Sequence, residues 1–188
     1  MADLLTLHRL EADRFGDRVR AVEGDQWHRE TPCTEWDVRA LVNHLVYDNC
    51  WAPLTVGGST VAEVGDRFEG DLLGDDPPGA WQSSIEPALA AFEAPGALDR
   101  TVHLSYGDVP AAEYLVERLT DLVVHGWDLA RSIGLSDRLD PDSVELLWET
   151  WAPREGLIRG SGLFGQTIAV VPDADRQTRL LALLGRQG

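Results

Sequence analysis

The chain has 188 residues, enough for one domain with a sizeable core and too few for two. Asp and Glu outnumber Lys and Arg by 32 to 16, a formal charge of −16 with no basic run to offset it, which excludes nucleic acid and anionic membrane surfaces as partners. No stretch approaches transmembrane length, and the opening Met1-Ala2-Asp3-Leu4-Leu5 lacks the basic and apolar segments of a secretory signal, so a cytoplasmic protein is expected.

In chain order, Leu4, Leu7, Leu10, Phe15, Val19 and Val22 recur near helical spacing among Asp, Arg and Glu, which predicts a first amphipathic helix over 4–22. Gly24, Trp27 and Pro32 mark a turn. Thr34-Glu35-Trp36-Asp37 then offers a hydroxyl and a carboxylate to the free N–H groups of a new helix. That helix is predicted from Glu35 to Ala52, with Trp36, Leu41, Leu45 and Trp51 towards the core. Residues 55–79 are rich in Gly, Asp and Pro and read as a connecting loop with one helical turn near 62–68.

A third long helix is predicted over 80–93, a short extended piece over 99–104, and a turn at Tyr106-Gly107-Asp108. Pro110 suits the first position of a fourth long helix, which runs to Ser132 and is stopped by Gly134. Pro141 opens a fifth through Trp151, with Asp140 or Asp142 as its cap. The composition turns glycine-rich from Gly156, Thr167–Pro172 reads as a strand or extended arm, and Asp175–Leu184 as a short closing helix. The expected fold class is mainly all-α, a helical bundle with a short extended or β element near the C-terminus.

Asp121 and His125 lie four residues apart on the fourth long helix. At about 100° per residue they fall within roughly 40° of each other and one turn apart, so they can share an ion or pair with each other. His44, inside Leu41-Val42-Asn43-His44-Leu45-Val46, is an imidazole in apolar surroundings that needs a partner, either a metal or a backbone carbonyl. Two histidines and a carboxylate from two facing helices leave open positions on an ion, as catalytic zinc sites do. Zinc is the first choice for such a set, with nickel, manganese or iron as the others that suit it.

Glu117, Arg118 and Asp128 share the face of that helix. Arg118 is placed to pair with Asp121 or to steer an anionic substrate, and Asp128 to orient a ligand or to form a helix-end ion pair. Cys33 and Cys50 make no disulfide framework and read as reduced, small buried hydrophobes. Cys50 is about 240° around its helix from His44 and so faces away from an ion held there. His8, His28 and His103 lack a partner pattern, and the sequence has no phosphate-binding loop and no Gly-x-Ser-x-Gly.

Trp27, Thr31-Pro32-Cys33-Thr34-Glu35-Trp36-Asp37-Val38-Arg39 and Leu41–Val46 together resemble the opening signature of the mycothiol-dependent maleylpyruvate isomerase N-terminal family, among the DinB/YfiT-like metal-binding bundles. Asp121 with Val124-His125-Gly126-Trp127-Asp128-Leu129-Ala130 resembles its second signature, and Arg179–Arg186 resembles the end of a subgroup described only as metal-binding proteins. The resemblance runs over nearly the whole chain. It implies a DinB-like four-helix bundle over 1–160, with 161–188 as a C-terminal extension packed on the same domain. It also implies a divalent metal held by His44, Asp121 and His125, although the isomerase has Glu where Asp121 stands.

The resemblance implies mycothiol as the cofactor, and a metal-bound thiol is deprotonated near neutral pH and so becomes a ready nucleophile. The expected function is therefore a metal-binding, mycothiol-dependent S-transferase or isomerase that joins a small-molecule thiol to an electrophilic substrate. The alternative is a non-catalytic metal-binding or stress-related bundle. This length leaves no room for the isomerase's separate C-terminal domain, so the expectation is the reaction class and not the namesake reaction. Seven tryptophans permit a homodimer.

Overall fold

The computed structural model describes residues 3–156, 166–171 and 173–187. Helix α1, Leu4–Arg20, starts where the Asp3 carboxylate accepts from the Thr6 N–H at 3.0 Å, and it buries Leu7, Ala12, Phe15 and Val19 along one face. A 3-10 turn, Gly24–His28, and a single antiparallel bridge between Glu30 and Asp37 lead into α2, Val38–Val56.

Both ends of α2 fall later than the sequence pattern predicts. Asp37 is the cap in place of Thr34, its carboxylate accepting from the Ala40 N–H at 2.8 Å. At the far end Pro53 has no N–H to donate, yet the helix continues, and the Thr55 hydroxyl donates to the Trp51 and Ala52 carbonyls at 3.1 and 3.2 Å. The expected loop that follows contains one turn, α3, Val61–Val64, with Thr60 and Glu63 capping each other. Helix α4, Pro77–Glu93, also starts earlier than predicted, because Asp76 accepts from the Gly79 N–H and Pro77 is preset for the first helical position.

Strands β1, Thr101–Leu104, and β2, Gly107–Pro110, form an antiparallel hairpin with Thr101 opposite Pro110 and Leu104 opposite Gly107. The sequence pattern predicts only the first strand. Gly107, Asp108 and Pro110 have little intrinsic preference for strand, so β2 exists through its pairing alone. Pro110 stands just before α5, Ala111–Ile133, one residue outside its predicted place as the first helical residue and without a capping hydrogen bond, and the helix ends at Gly134 in the left-handed conformation that glycine adopts without strain.

Helix α6, Pro141–Trp151, is capped by Asp140, and α7, Arg176–Leu183, by Asp175. Residues 166–171 form neither helix nor strand, and the Ile168 N–H donates to the Ala182 carbonyl at 2.9 Å. Pro172 of the expected arm, and most of the glycine-rich stretch after Gly156, lie outside the described residues.

Among the described residues the fold is all-α apart from the small hairpin. Helices α1, α2, α4 and α5 make the bundle, and Phe15, Leu41, Leu45, Trp81, Leu89 and Leu115 meet in its core. Each such side chain contributes about 1.5–3 kcal/mol of transfer free energy. A second core joins Leu7 of α1 and Leu119 and Trp127 of α5 to Leu147 of α6 and Leu180 of α7. Helices α1 and α5 pack across Gly126, where a Cβ would lie 2.7 Å from the Arg18 guanidinium and would displace the end of that side chain. No helix among the described residues is long and apolar enough to cross a membrane.

Candidate metal centre

Helices α2 and α5 pack against each other, and the pairing brings His44 from the first beside Asp121 and His125 from the second. One ligand atom from each of the three lies within 4.8 Å of the other two. His125 and Asp121, one turn apart, approach to 4.0 Å between Nε2 and Oδ1. The His44 and His125 rings meet nearly at right angles with centroids 5.4 Å apart. Burial lowers the pKa of His44 against the opposing pull of Asp48 and Asp121, so its imidazole is neutral at pH 7 and keeps a lone pair.

Each histidine is backed by a carboxylate that an arginine holds in turn. Asp48 Oδ2 lies 3.2 Å from His44 Nε2 and 2.7 Å from Arg118 Nη1. Asp128 Oδ2 lies 3.0 Å from His125 Nδ1, and both Asp128 oxygens accept from Arg186. Arg118 also reaches Asp121 Oδ2 at 3.0 Å, which leaves Oδ1 on the side of His125. Of the two roles open to Arg118 in the sequence, the structure contains the pairing. Asp128 combines its two, making an ion pair and contacting a candidate ligand. Three carboxylates against two guanidiniums leave one negative charge over, beside two imidazoles.

The approach to the site is built by the loop before α2. The Thr31 hydroxyl donates to the Trp36 carbonyl at 2.8 Å, and the Trp36 N–H donates to the Cys33 carbonyl at 2.9 Å. So held, the Trp36 ring lies 4.5 Å from His44 and 5.5 Å from His125 between centroids. It is half-buried and serves the site as much as the core. Glu30, Thr31, Thr34, Glu35, Trp36 and Asp37 line a cleft of about 370 Å³ at this end of the bundle.

The profile of the mycothiol maleylpyruvate isomerase N-terminal domain matches residues 8–130, a span that contains His44, Asp121 and His125. The chain belongs to this family. Two uncharacterised proteins, from two strains of Mycobacterium tuberculosis, are each 32% identical to it over 186 residues, covering 98% of both chains. Crystal structures of a mycothiol-dependent maleylpyruvate isomerase and of a mutant of it have the same fold, with TM-scores of 0.53 and 0.55 at 20% and 19% identity. That likeness covers 67% of this chain and 59% of the isomerase's.

Three further residues of this family member belong to the site's surroundings, and sequence reasoning missed them there. Asp48 follows His44 at the spacing that separates Asp121 from His125, a signal that was available. Cys33, expected to be a plain buried hydrophobe, is half-buried and has its sulfur within 4.8 Å of ligand atoms of His125 and Asp128. Burial raises its thiol pKa, with Arg186 opposing. Arg186 had no local signal at all. The remaining candidates stay apart: Glu117, its pKa raised by burial, accepts from the Tyr106 hydroxyl, His103 pairs with Asp108, and Cys50 joins no such group among the described residues.

Proposed function

We propose that the chain binds one divalent ion, zinc before nickel, manganese or iron, through His44, Asp121 and His125, and uses it in mycothiol-dependent S-transfer or isomerisation of an electrophile. The observation that carries this reading is the convergence of the three ligand atoms within 4.8 Å on two facing helices. The residues suit a cation. His44 offers a neutral imidazole, Asp121 divides its oxygens between Arg118 and the side of His125, and the surrounding charge is negative by one.

An ion bound there lowers the pKa of a coordinated thiol, which is then a thiolate near neutral pH. Trp36 covers both imidazoles on one side and forms a wall of the cleft. The Thr34 hydroxyl and the carboxylates of Glu30, Glu35 and Asp37 can hydrogen-bond a sugar. None of the six lining residues is Lys or Arg, which favours a neutral or cationic ligand over an anion. Mycothiol, a sugar-linked thiol without strong negative charge, suits such a wall, and the solved isomerase of this fold is described as mycothiol-dependent.

A second reading follows from Arg118. Its contacts with Asp48 and Asp121 close a charge network without an ion, as in a helical module that binds no metal. Metal analysis of the purified protein beside a His44→Ala variant, then mycothiol titration, separates the two. The expected result is stoichiometric metal in the wild type, loss of it in a variant that remains folded, and a mycothiol-dependent change at the ion. A wild type that neither holds metal nor takes it up when supplied leaves only the metal-free network. Metal that mycothiol never ligates would remove the transferase half of the proposal.

A further inference from the structure

We propose that the C-terminal tail is a working part of this centre: Arg186, acting through Asp128, fixes the ring of His125 and the nitrogen it presents, so both are positioning residues for a metal ligand. The inference rests on the metal reading above and concerns how one ligand is held.

The tail is aimed by the end of α7. Gly185 takes φ 78, the Arg186 N–H donates back to the Leu181 carbonyl at 2.7 Å, and the Gly185 N–H donates to the Ala182 carbonyl at 3.2 Å. This left-handed closure reverses the chain at a position where only glycine is unstrained, and it directs Arg186 towards α5. Arg186 Nε then donates to both Asp128 oxygens at 2.9 and 3.1 Å and Nη2 to Oδ2 at 2.9 Å, while Nη1 reaches the Leu184 carbonyl at 3.4 Å. The Asp128 side chain is wholly buried and that of Arg186 is 8% exposed. A pair desolvated to this degree recovers little net stability from its own attraction, but it leaves neither side chain another position.

The fixed carboxylate determines the state of His125. A carboxylate only accepts, so the proton of the neutral ring sits on Nδ1, 3.0 Å from Asp128 Oδ2, and Nε2 is left with its lone pair on the side of Asp121 Oδ1. Metal-bound histidines are held in this way, with the outer N–H on a carboxylate. The neighbouring Cys33–His125–Asp128 grouping is the competing use of the same atoms. It would need an Asp128 oxygen, and both of these are already held, by His125 Nδ1 and by Arg186. Arg186 lies outside the residues 8–130 matched by the family profile, so this support reaches the shared ligands from the chain's own tail.

The test begins with imidazole nitrogen NMR on the unsubstituted, metal-free protein, with pH raised until the ring is singly protonated, where His125 should carry that proton on Nδ1. Zinc affinity by chelator competition and the visible spectrum of the cobalt(II) form are then compared for Arg186→Gln, Asp128→Asn and Arg186→Lys. The first two should bind zinc roughly 10- to 100-fold more weakly with a shifted cobalt spectrum, and the lysine variant should recover part of the loss. A neutral His125 ring protonated on Nε2 and not on Nδ1 overturns the proposal, as do variants with wild-type affinity and spectrum. A cobalt–thiolate band that Cys33→Ser abolishes would assign the other grouping and overturn it equally. Because the tautomer is read without metal or substitution, it decides the matter even where Arg186→Gln fails to fold. It also separates this inference from the metal reading, which fails on its own if the wild type binds no ion.

Discussion

Arg118 lies between carboxylates from two helices, 2.7 Å from Asp48 on α2 and 3.0 Å from Asp121 on its own helix α5. Burial alone would disfavour its charge, but Asp48 and Asp121 hold the guanidinium above its ordinary pKa. Replacing it by Arg118→Gln leaves two largely buried carboxylates without their cation. Breaking such a pair should cost the metal-free protein about 3 kcal/mol in urea unfolding. Zinc at Asp121 brings positive charge to the same place, so the cost should shrink when unfolding is repeated with saturating zinc. Equal costs with and without zinc would mean that Asp121 is not a ligand and that the pairing is its whole role.

At the scale of elements, the start of α2 decides where Trp36 and His44 lie, and a single carboxylate decides that start. Asp37 accepts from the Ala40 N–H, whereas Thr34 lies in the preceding turn and caps nothing. Asp37→Ala should therefore cost about 1 kcal/mol of stability, while Thr34→Ala should change the urea midpoint only marginally. The reverse order would restore the earlier helix start.

The same segment shows what the sequence could and could not disclose. Thr34 and Asp37 are both acceptable caps, and the choice falls to the hydrogen bonds that Thr31 and Arg29 make with the loop, which no local pattern encodes. Strand β2 was hidden because its residues gain an extended conformation only from a partner. Asp121, His125 and His44 were legible because spacing and apolar context are local properties. Arg186 and Asp128, 58 residues apart, meet only when the second core brings α7 back to α5.

For the molecule as a whole, the largest acid sensitivity should come from a histidine that is not one of the three candidate ligands. His8 of α1 is buried edge-on against Phe92 of α4, with ring centroids 5.5 Å apart. Burial, with Arg118 and Arg9 adding repulsion, pushes its pKa down to about 3. The unfolded imidazole takes up a proton near pH 6.5, and the folded one does not until about pH 3. Between these values the unfolded state binds the extra proton, so the stability His8 contributes is complete above pH 6.5 and is lost as pH falls through that window. Glu11 works in the opposite sense: burial raises its carboxyl pKa despite the Ser143 hydroxyl, so its contribution is present at low pH and is lost as pH rises. Metal-free protein in chelator should lose stability below pH 6.5 at a slope approaching about 1.4 kcal/mol per pH unit for the His8 proton. His8→Leu, which has no proton to bind, should flatten the profile by that amount and leave a slope of the same sign from His44, whose pKa burial also lowers. Chemical denaturation at half-unit steps from pH 7 to 4.5 reads this directly, and parallel profiles for the two proteins would rule His8 out as the source.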